Sequence, residues 1–333
     1  MKYNEVIKDL KNKIYHPVYL LMGAEPFYID KVTDYIATHI LEEHEKDFNQ
    51  TVFYGKDADV EQIINASKRY PMMANHQVII IREAQELKDI DKLIYYTDQP
   101  LKSTILVINY KYKKFDKRKK LYKSIQTNGL VFESPEIKDY KLPEWISQFV
   151  KSKKYQIDDK AAHILAENLG NDLGKIANEL DKLIITLPKD SKNITAEQIE
   201  KNIGISKDYN NFELTNALCD KNLLKAYRII DYFGRNPKNH HISATLATLY
   251  YFFSKLMAFH FVKDKSQQNV ASSLGIHPFL VNNYKKAAQQ FKPPKIARII
   301  DTLREYDLRS KGLGSSHTPD SELMKEMLYK IIH

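Results

Sequence analysis

The sequence predicts an α/β domain with a parallel sheet, followed by an all-helical region. Up to about residue 140, short β-rich apolar runs alternate with longer polar stretches of helical period, the rhythm of a parallel sheet with crossover helices. From Leu142 onward the β signals nearly vanish. Apolar residues then recur at spacings of three and four: Trp145 and Phe149, then Ile164, Leu165 and Leu169, then Ile176, Leu180, Leu183 and Ile184. Only 10 glycines and 12 prolines occur in 333 residues, which argues for many helices and few hairpins. A chain of this length is expected to form about two or three domains, and its 43% hydrophobic content is enough to fill their cores.

The predicted strands are Val18 to Met22, Thr51 to Tyr54, Val78 to Ile81, Thr104 to Asn109 and Leu130 to Phe132. Between them, Tyr28 to Glu43, Asp59 to Arg69, Glu83 to Tyr95 and Lys117 to Gln126 read as helices, with Asp59 placed to cap the second. In the helical region the polar stretch 187–193 interrupts, and Thr195 is positioned to cap the helix that restarts there. The pattern weakens again at 204–209, which marks a second boundary. Later helices are expected to break at 234–239, 275–278, Pro293-Pro294 and 312–319.

Charge and cysteine content narrow the setting. With 51 Lys+Arg against 42 Asp+Glu, the net charge is +9 and the pI near 9.1, compatible with a polyanionic partner or with a lysine-rich surface. The single Cys219 excludes an intramolecular disulfide framework and fits a reducing compartment, the cytosol. Met1 to Glu5 lacks a signal-peptide pattern, and no uninterrupted apolar run of membrane-spanning length is evident, so no membrane association is expected.

Gly23 follows the first apolar strand, where a nucleotide-binding fold carries its phosphate loop. A working P-loop, G-x-x-x-x-G-K-[ST], needs glycine for backbone closure, lysine for charge and a hydroxyl for Mg²⁺. Aligned on Gly23, those places hold Tyr28, Ile29 and Asp30. A ring, an aliphatic side chain and a carboxylate would obstruct, fail to neutralise and repel a triphosphate. The Val78 strand ends in Arg82-Glu83, where ATP chemistry wants an acidic metal ligand. Asn109 ends another strand at the place of a polar sensor, which an amide capping a strand end would equally explain. An ordinary βα turn at Gly23 remains an alternative on these residues alone.

Three further segments carry chemistry. Tyr70-Pro71-Met72-Met73-Ala74-Asn75-His76 forms a helix-to-strand corner, where the paired methionines could plug a partner's apolar pocket or fold back into the local core. Lys111 to Lys123 mixes eight basic residues with Tyr112, Phe115 and Tyr122, a composition that grips nucleic-acid phosphate or forms a solvated face. Ala271, Gly275 and Val281 have the spacing of a helix-turn-helix. There the presumptive recognition helix opens with Phe279-Leu280-Val281, which favours packing over base readout. No paired-cysteine metal motif and no G-x-S-x-G is present, and His240-His241 lacks an obvious third ligand.

Taken in order, these pieces resemble one family, the delta subunit of the bacterial DNA polymerase III clamp loader. The resemblance spans nearly the whole chain. It rests on residues 19–25, on Pro71-Met72-Met73 with the Val78 strand and Arg82-Glu83, on residues 115–123, on residues 170–183 and on residues 274–279. It implies an AAA+-like α/β domain at 1–140, a small helical lid at 141–208 and a helical collar at 209–333 that joins a five-subunit ring. Such subunits are expected to need no cofactor or metal and to have no catalysis of their own, while belonging to the DNA-directed DNA polymerase III holoenzyme. Gly23, Tyr28, Ile29, Asp30, Arg82 and Glu83 then mark a degenerate nucleotide site.

The same resemblance implies that Met72 and Met73, with Pro71, insert into the ring-shaped sliding clamp (the beta subunit) and help to open it. The expected partners are the clamp, the ATPase subunits and delta-prime of a hetero-pentamer, and primed DNA reached through the assembled complex. Lys117, Arg118 and Lys120 are the candidate phosphate contacts. The expected location is the cytoplasm, at the nucleoid-associated replisome. The competing readings are a stand-alone helix-turn-helix regulator and an atypical ATPase.

Overall fold

In the computed structural model, residues 1–188, 191–206, 208–238, 240–313 and 318–333 are described. The chain divides into two compact units, Met1–Ile137 and Lys138–His333.

The first unit is built on five parallel strands: β1 (Val18–Gly23), β2 (Gln50–Tyr54), β3 (Gln77–Arg82), β4 (Thr104–Lys111) and β5 (Leu130–Ser134), in the order β2-β3-β4-β1-β5. Alternate residues serve opposite faces. Val18, Leu20, Met22, Ile79, Ile81, Leu106 and Ile108 pack into one core, and Tyr19, Leu21, Val78, Ile80, Ile105 and Val107 into another. Covering both faces is why the central strands β1, β3 and β4 read as continuous apolar runs rather than as alternations. All five predicted strands are present.

The helices of this unit are α1 (Tyr3–Lys11), α2 (Pro26–His39), α3 (Glu43–Asn49), α4 (Val60–Ser67), α5 (Ile94–Thr97) and α6 (Lys120–Asn128). Asp59 caps α4 as expected, its Oδ1 accepting the Glu61 N–H at 3.0 Å. Elsewhere the boundaries differ. The helix expected over 28–43 stops at His39, and the separate helix α3 follows. The helix expected over 83–95 is replaced by two 3-10 turns, Ala84–Glu86 and Ile90–Leu93, and the short α5. Glu83 and Asp89 adopt left-handed backbone, at φ 52° and 53°, which interrupts a right-handed helix at both points. Helix α6 begins three residues later than expected, because Asp116 folds back to accept the Arg118 N–H at 3.0 Å.

The second unit is helical: α7 (Leu142–Ser152), α8 (Asp159–Leu169), α9 (Leu173–Thr186), α10 (Ala196–Ile203), α11 (Asn211–Cys219), α12 (Leu223–Arg235), α13 (Ile242–Phe261), α14 (Gln267–Leu274), α15 (Val281–Gln290), α16 (Pro293–Ser310) and α17 (Asp320–Ile332). Two short strands, β6 (Gln156–Ile157) and β7 (Asn193–Ile194), pair in parallel between them. Thr195 caps α10, its N–H donating to Gln198 Oε1 at 2.8 Å. Pro293-Pro294 opens α16, a position where proline's missing N–H costs nothing. Of the expected breaks, residues 189–190, 207, 239 and 314–317 lie outside the described residues.

Helix α13 is, over 20 residues, long and apolar enough to cross a membrane by length and composition, although Ser254, Lys255 and His260 interrupt its apolar run. Its Leu246, Leu249, Phe253 and Leu256 are buried in the core of this unit, together with Ile296, Ile299 and Leu303 of α16.

Candidate partner-binding site

The phosphate-loop position is closed by the chain's own groups. Gly23 has φ +140°, and a Cβ there would lie 2.0 Å from the Ser134 carbonyl oxygen. The close approach of β5 alone therefore demands glycine at this place. At the start of α2, the Glu25 carboxylate accepts the Phe27 N–H at 2.8 Å, and Pro26 offers no N–H. The helix terminus that would attract phosphate already holds an anion.

Deeper in α2, Ile29 is fully buried in the core and Tyr28 packs on Tyr3 at 4.7 Å between ring centroids. Asp30 forms an ion pair with Lys111 at 2.8 Å, and Lys111 also reaches Glu83 at 3.2 Å. Burial draws the Lys111 ammonium down, but Asp30 and then Glu83 outweigh it, so its pKa is raised and it stays charged. Arg82 contacts Asp34 at 3.4 Å, and the Thr33 hydroxyl bonds the buried Asn109 side chain at 2.9 Å. The structure thus draws Asp30 and Glu83 to a common lysine. The sequence placed Lys111 in the basic segment and gave no sign of its ion pairs, because its partners come from distant parts of the chain.

The methionine loop is presented to solvent. Met72 is 60% exposed and Met73 97%, so they do not fold back into the core, while neighbouring Ala74 packs beneath the sheet. Met73 holds a left-handed backbone at φ 53°. The loop is fastened by Asn49, the last residue of α3. Its Oδ1 accepts the Met72 N–H at 2.6 Å, and its Nδ2 donates to the Met72 carbonyl at 2.9 Å. Phe48, beside it in sequence, is 71% exposed. Sequence reasoning missed α3, because Glu43–Asn49 reads as polar with no apolar period.

The lysine-rich segment is largely paired internally. Lys114 and Lys117 both reach Glu133, at 2.8 and 2.9 Å, Arg118 pairs with Asp116 at 2.8 Å, and Lys119 with Asp91 at 2.6 Å. Lys120, at the first position of α6, is exposed. These surface pairs are weak and could be exchanged for phosphate.

The helix-turn-helix spacing is a packed corner. Gly275 ends α14 in left-handed conformation, and Ala271 and Val281 are buried. From α15, Asn283 bonds Asn216 at 2.7 Å and Lys286 bonds Asp220 at 2.8 Å, so two polar side chains of the presumptive reading helix face α11. His240 stacks on Phe233 at 4.3 Å. No group of side chains suited to a metal ion occurs among the described residues.

A cavity of about 450 Å³ in the second unit was not foreseen; Leu142, Pro143, His163, Glu167, Tyr251 and His277 are among its lining residues. His163 stacks on Phe212 and Phe279, with ring centroids 5.6 and 5.8 Å away.

The fold defines a class: a five-stranded parallel α/β unit followed by a helical unit. Comparison with known proteins narrows this. The profile of the family described as DNA polymerase III, delta subunit, matches residues 19–134, and that of the DNA polymerase III delta subunit, C-terminal domain, matches residues 208–329. The DNA polymerase III subunit delta of Bacillus subtilis (strain 168) is 25% identical over 334 residues, covering 97% of this chain and 94% of the relative. The solved structure of the Bacillus subtilis DNA clamp loader delta protein (YqeN) matches with a TM-score of 0.55 at 22% identity, covering 99% of both chains. The chain belongs to the DNA polymerase III delta subunit family. The parallel α/β unit and the helices that follow it are the fold expected from sequence.

Proposed function

We propose that this chain is the clamp-opening subunit of a clamp loader and neither binds nor hydrolyses ATP itself. Met72 and Met73, with Pro71 setting the corner, enter an apolar pocket on the sliding clamp, and the binding energy stabilises an open clamp interface. The observation that carries this reading is the exposure of both methionine side chains on a fastened loop. Burying two such side chains contributes roughly 3–6 kcal/mol before the costs of association. The ion pairs of Lys111 with Asp30 and Glu83 support the non-ATPase part, because a triphosphate at this position would meet two carboxylates whose lysine is already engaged.

In this reading residues 1–140 bind the clamp, 141–208 form a lid and 209–333 form the collar that joins the ATPase subunits and delta-prime in a hetero-pentamer. Primed DNA is met by the assembled complex, through phosphate contacts that include Lys117, Arg118 and Lys120 and read no sequence. The setting is the cytoplasmic, nucleoid-associated replisome. The bonds from Asn283 and Lys286 to α11 count against a stand-alone DNA reader.

The test is binding of the isolated chain to the organism's own sliding clamp with and without ATP and Mg²⁺. Tight binding that nucleotide leaves unchanged is expected. Binding that requires ATP would sink the proposal.

A further inference from the structure

The two exposed methionines pose a physical problem. An exposed loop ordinarily samples many conformations, and each must be given up when a partner is bound. Met73 in addition sits at φ 53°, a backbone state that side-chain-bearing residues adopt at a cost and keep only when their surroundings enforce it. Here the enforcement is visible. Asn49 is 3% exposed, and its amide closes a ring of two hydrogen bonds on one residue, accepting from the Met72 N–H at 2.6 Å and donating to the Met72 carbonyl at 2.9 Å. Its Nδ2 also donates to the Glu45 carbonyl at 3.0 Å, which ties the loop to the last turn of α3.

A carboxamide carries its donor and its acceptor on two separate atoms spaced to bridge the N–H and C=O of one residue, and asparagine has the shorter reach of the two amide residues. Aspartate keeps the acceptor and loses the donor; alanine loses both. The position is thus chemically specific in a way that simple filling of space is not.

We propose that Asn49 is a positioning residue for the partner-binding loop, holding Met72 and Met73 in their presented geometry before the partner arrives. The proposal rests on the reading that these methionines contact the sliding clamp. A preorganised loop binds with a smaller entropic loss, so releasing it lowers affinity while the apolar contacts themselves stay available.

The experiment is a double-mutant cycle on the full chain, with affinity for the organism's own sliding clamp read by calorimetry. Asn49→Ala is expected to weaken binding about tenfold, and Asn49→Asp at least as much, because its second carboxylate oxygen would face the Met72 and Glu45 carbonyls. In a Met72→Ala/Met73→Ala background, Asn49→Ala should cause no further loss, because a positioning residue acts only through the side chains it positions. Hydrogen exchange at the Met72 amide should accelerate in Asn49→Ala with the sheet amides unchanged. Wild-type affinity in Asn49→Ala, while the double methionine variant binds weakly, would overturn the positioning role and leave the site intact. An equal Asn49→Ala loss in both backgrounds would make Asn49 merely structural. Wild-type binding by the double methionine variant would overturn the site itself and Asn49 with it. If Asn49→Ala fails to fold, Asn49→Gln, which keeps the amide on a longer arm, carries the same cycle.

Discussion

Lys111 Nζ lies 2.8 Å from Asp30 Oδ1, joining the end of β4 to the first turns of α2. The charge of Asp30 is satisfied from within the chain. Replacing Lys111 by methionine should therefore destabilise the fold by about 1–3 kcal/mol, since Asp30 and Glu83 would be left facing each other without a cation. Urea denaturation measures this. A stability equal to or above wild type would mean that the ion pairs do not hold this corner together.

Gly23 offers a separate test of why glycine stands at the loop. Gly23→Ala places a methyl group 2.0 Å from the Ser134 carbonyl and forces alanine to φ +140°. The loss should exceed about 3 kcal/mol, seen as a large fall in denaturation midpoint or as failure to fold. A glycine kept only for phosphate would give a variant of unchanged stability.

His163 sets an acid limit on the second unit. Burial first, and then repulsion from His277, lower its pKa from 6.5 to about 4. Between those values the unfolded chain binds a proton that the folded chain refuses, so stability is full above pH 6.5 and falls as pH drops toward 4. At pH 5 the loss from this group alone is about 2 kcal/mol. His163→Phe keeps the stacking on Phe212 and Phe279 and removes the titration. The stability of the variant relative to wild type should rise by that amount between pH 7 and pH 5. A difference that stays flat with pH would refute the assignment.

What the sequence made legible follows from where the determining forces are local. The central strands β1, β3 and β4 announced themselves because both of their faces are buried, so Val78 to Ile81 and Ile105 to Ile108 are apolar at every position. Asp59 and Thr195 were readable as caps because capping is settled within three residues. The segment 83–95 misled because Glu83 is fixed by a tertiary contact: the Gly55 N–H donates to the Arg82 carbonyl at 2.8 Å, and a Cβ on Gly55 would lie 2.2 Å from the Glu83 carbonyl. At the candidate site, the sequence singled out Met72 and Met73 but did not decide their exposure. Asn49 was not singled out, and the ion pairs of Lys111 were not foreseen, since nothing near either residue in sequence signals its partner.

The central claim is that the methionine pair supplies the grip on the sliding clamp. Calorimetric titration of the clamp with the Met72→Ala/Met73→Ala chain tests it most directly, because both side chains are solvent-exposed and their loss leaves the core untouched. The account predicts a folded protein whose affinity is weaker by roughly 2–4 kcal/mol, about 30- to 1,000-fold. A folded variant that binds the clamp as tightly as wild type would contradict it.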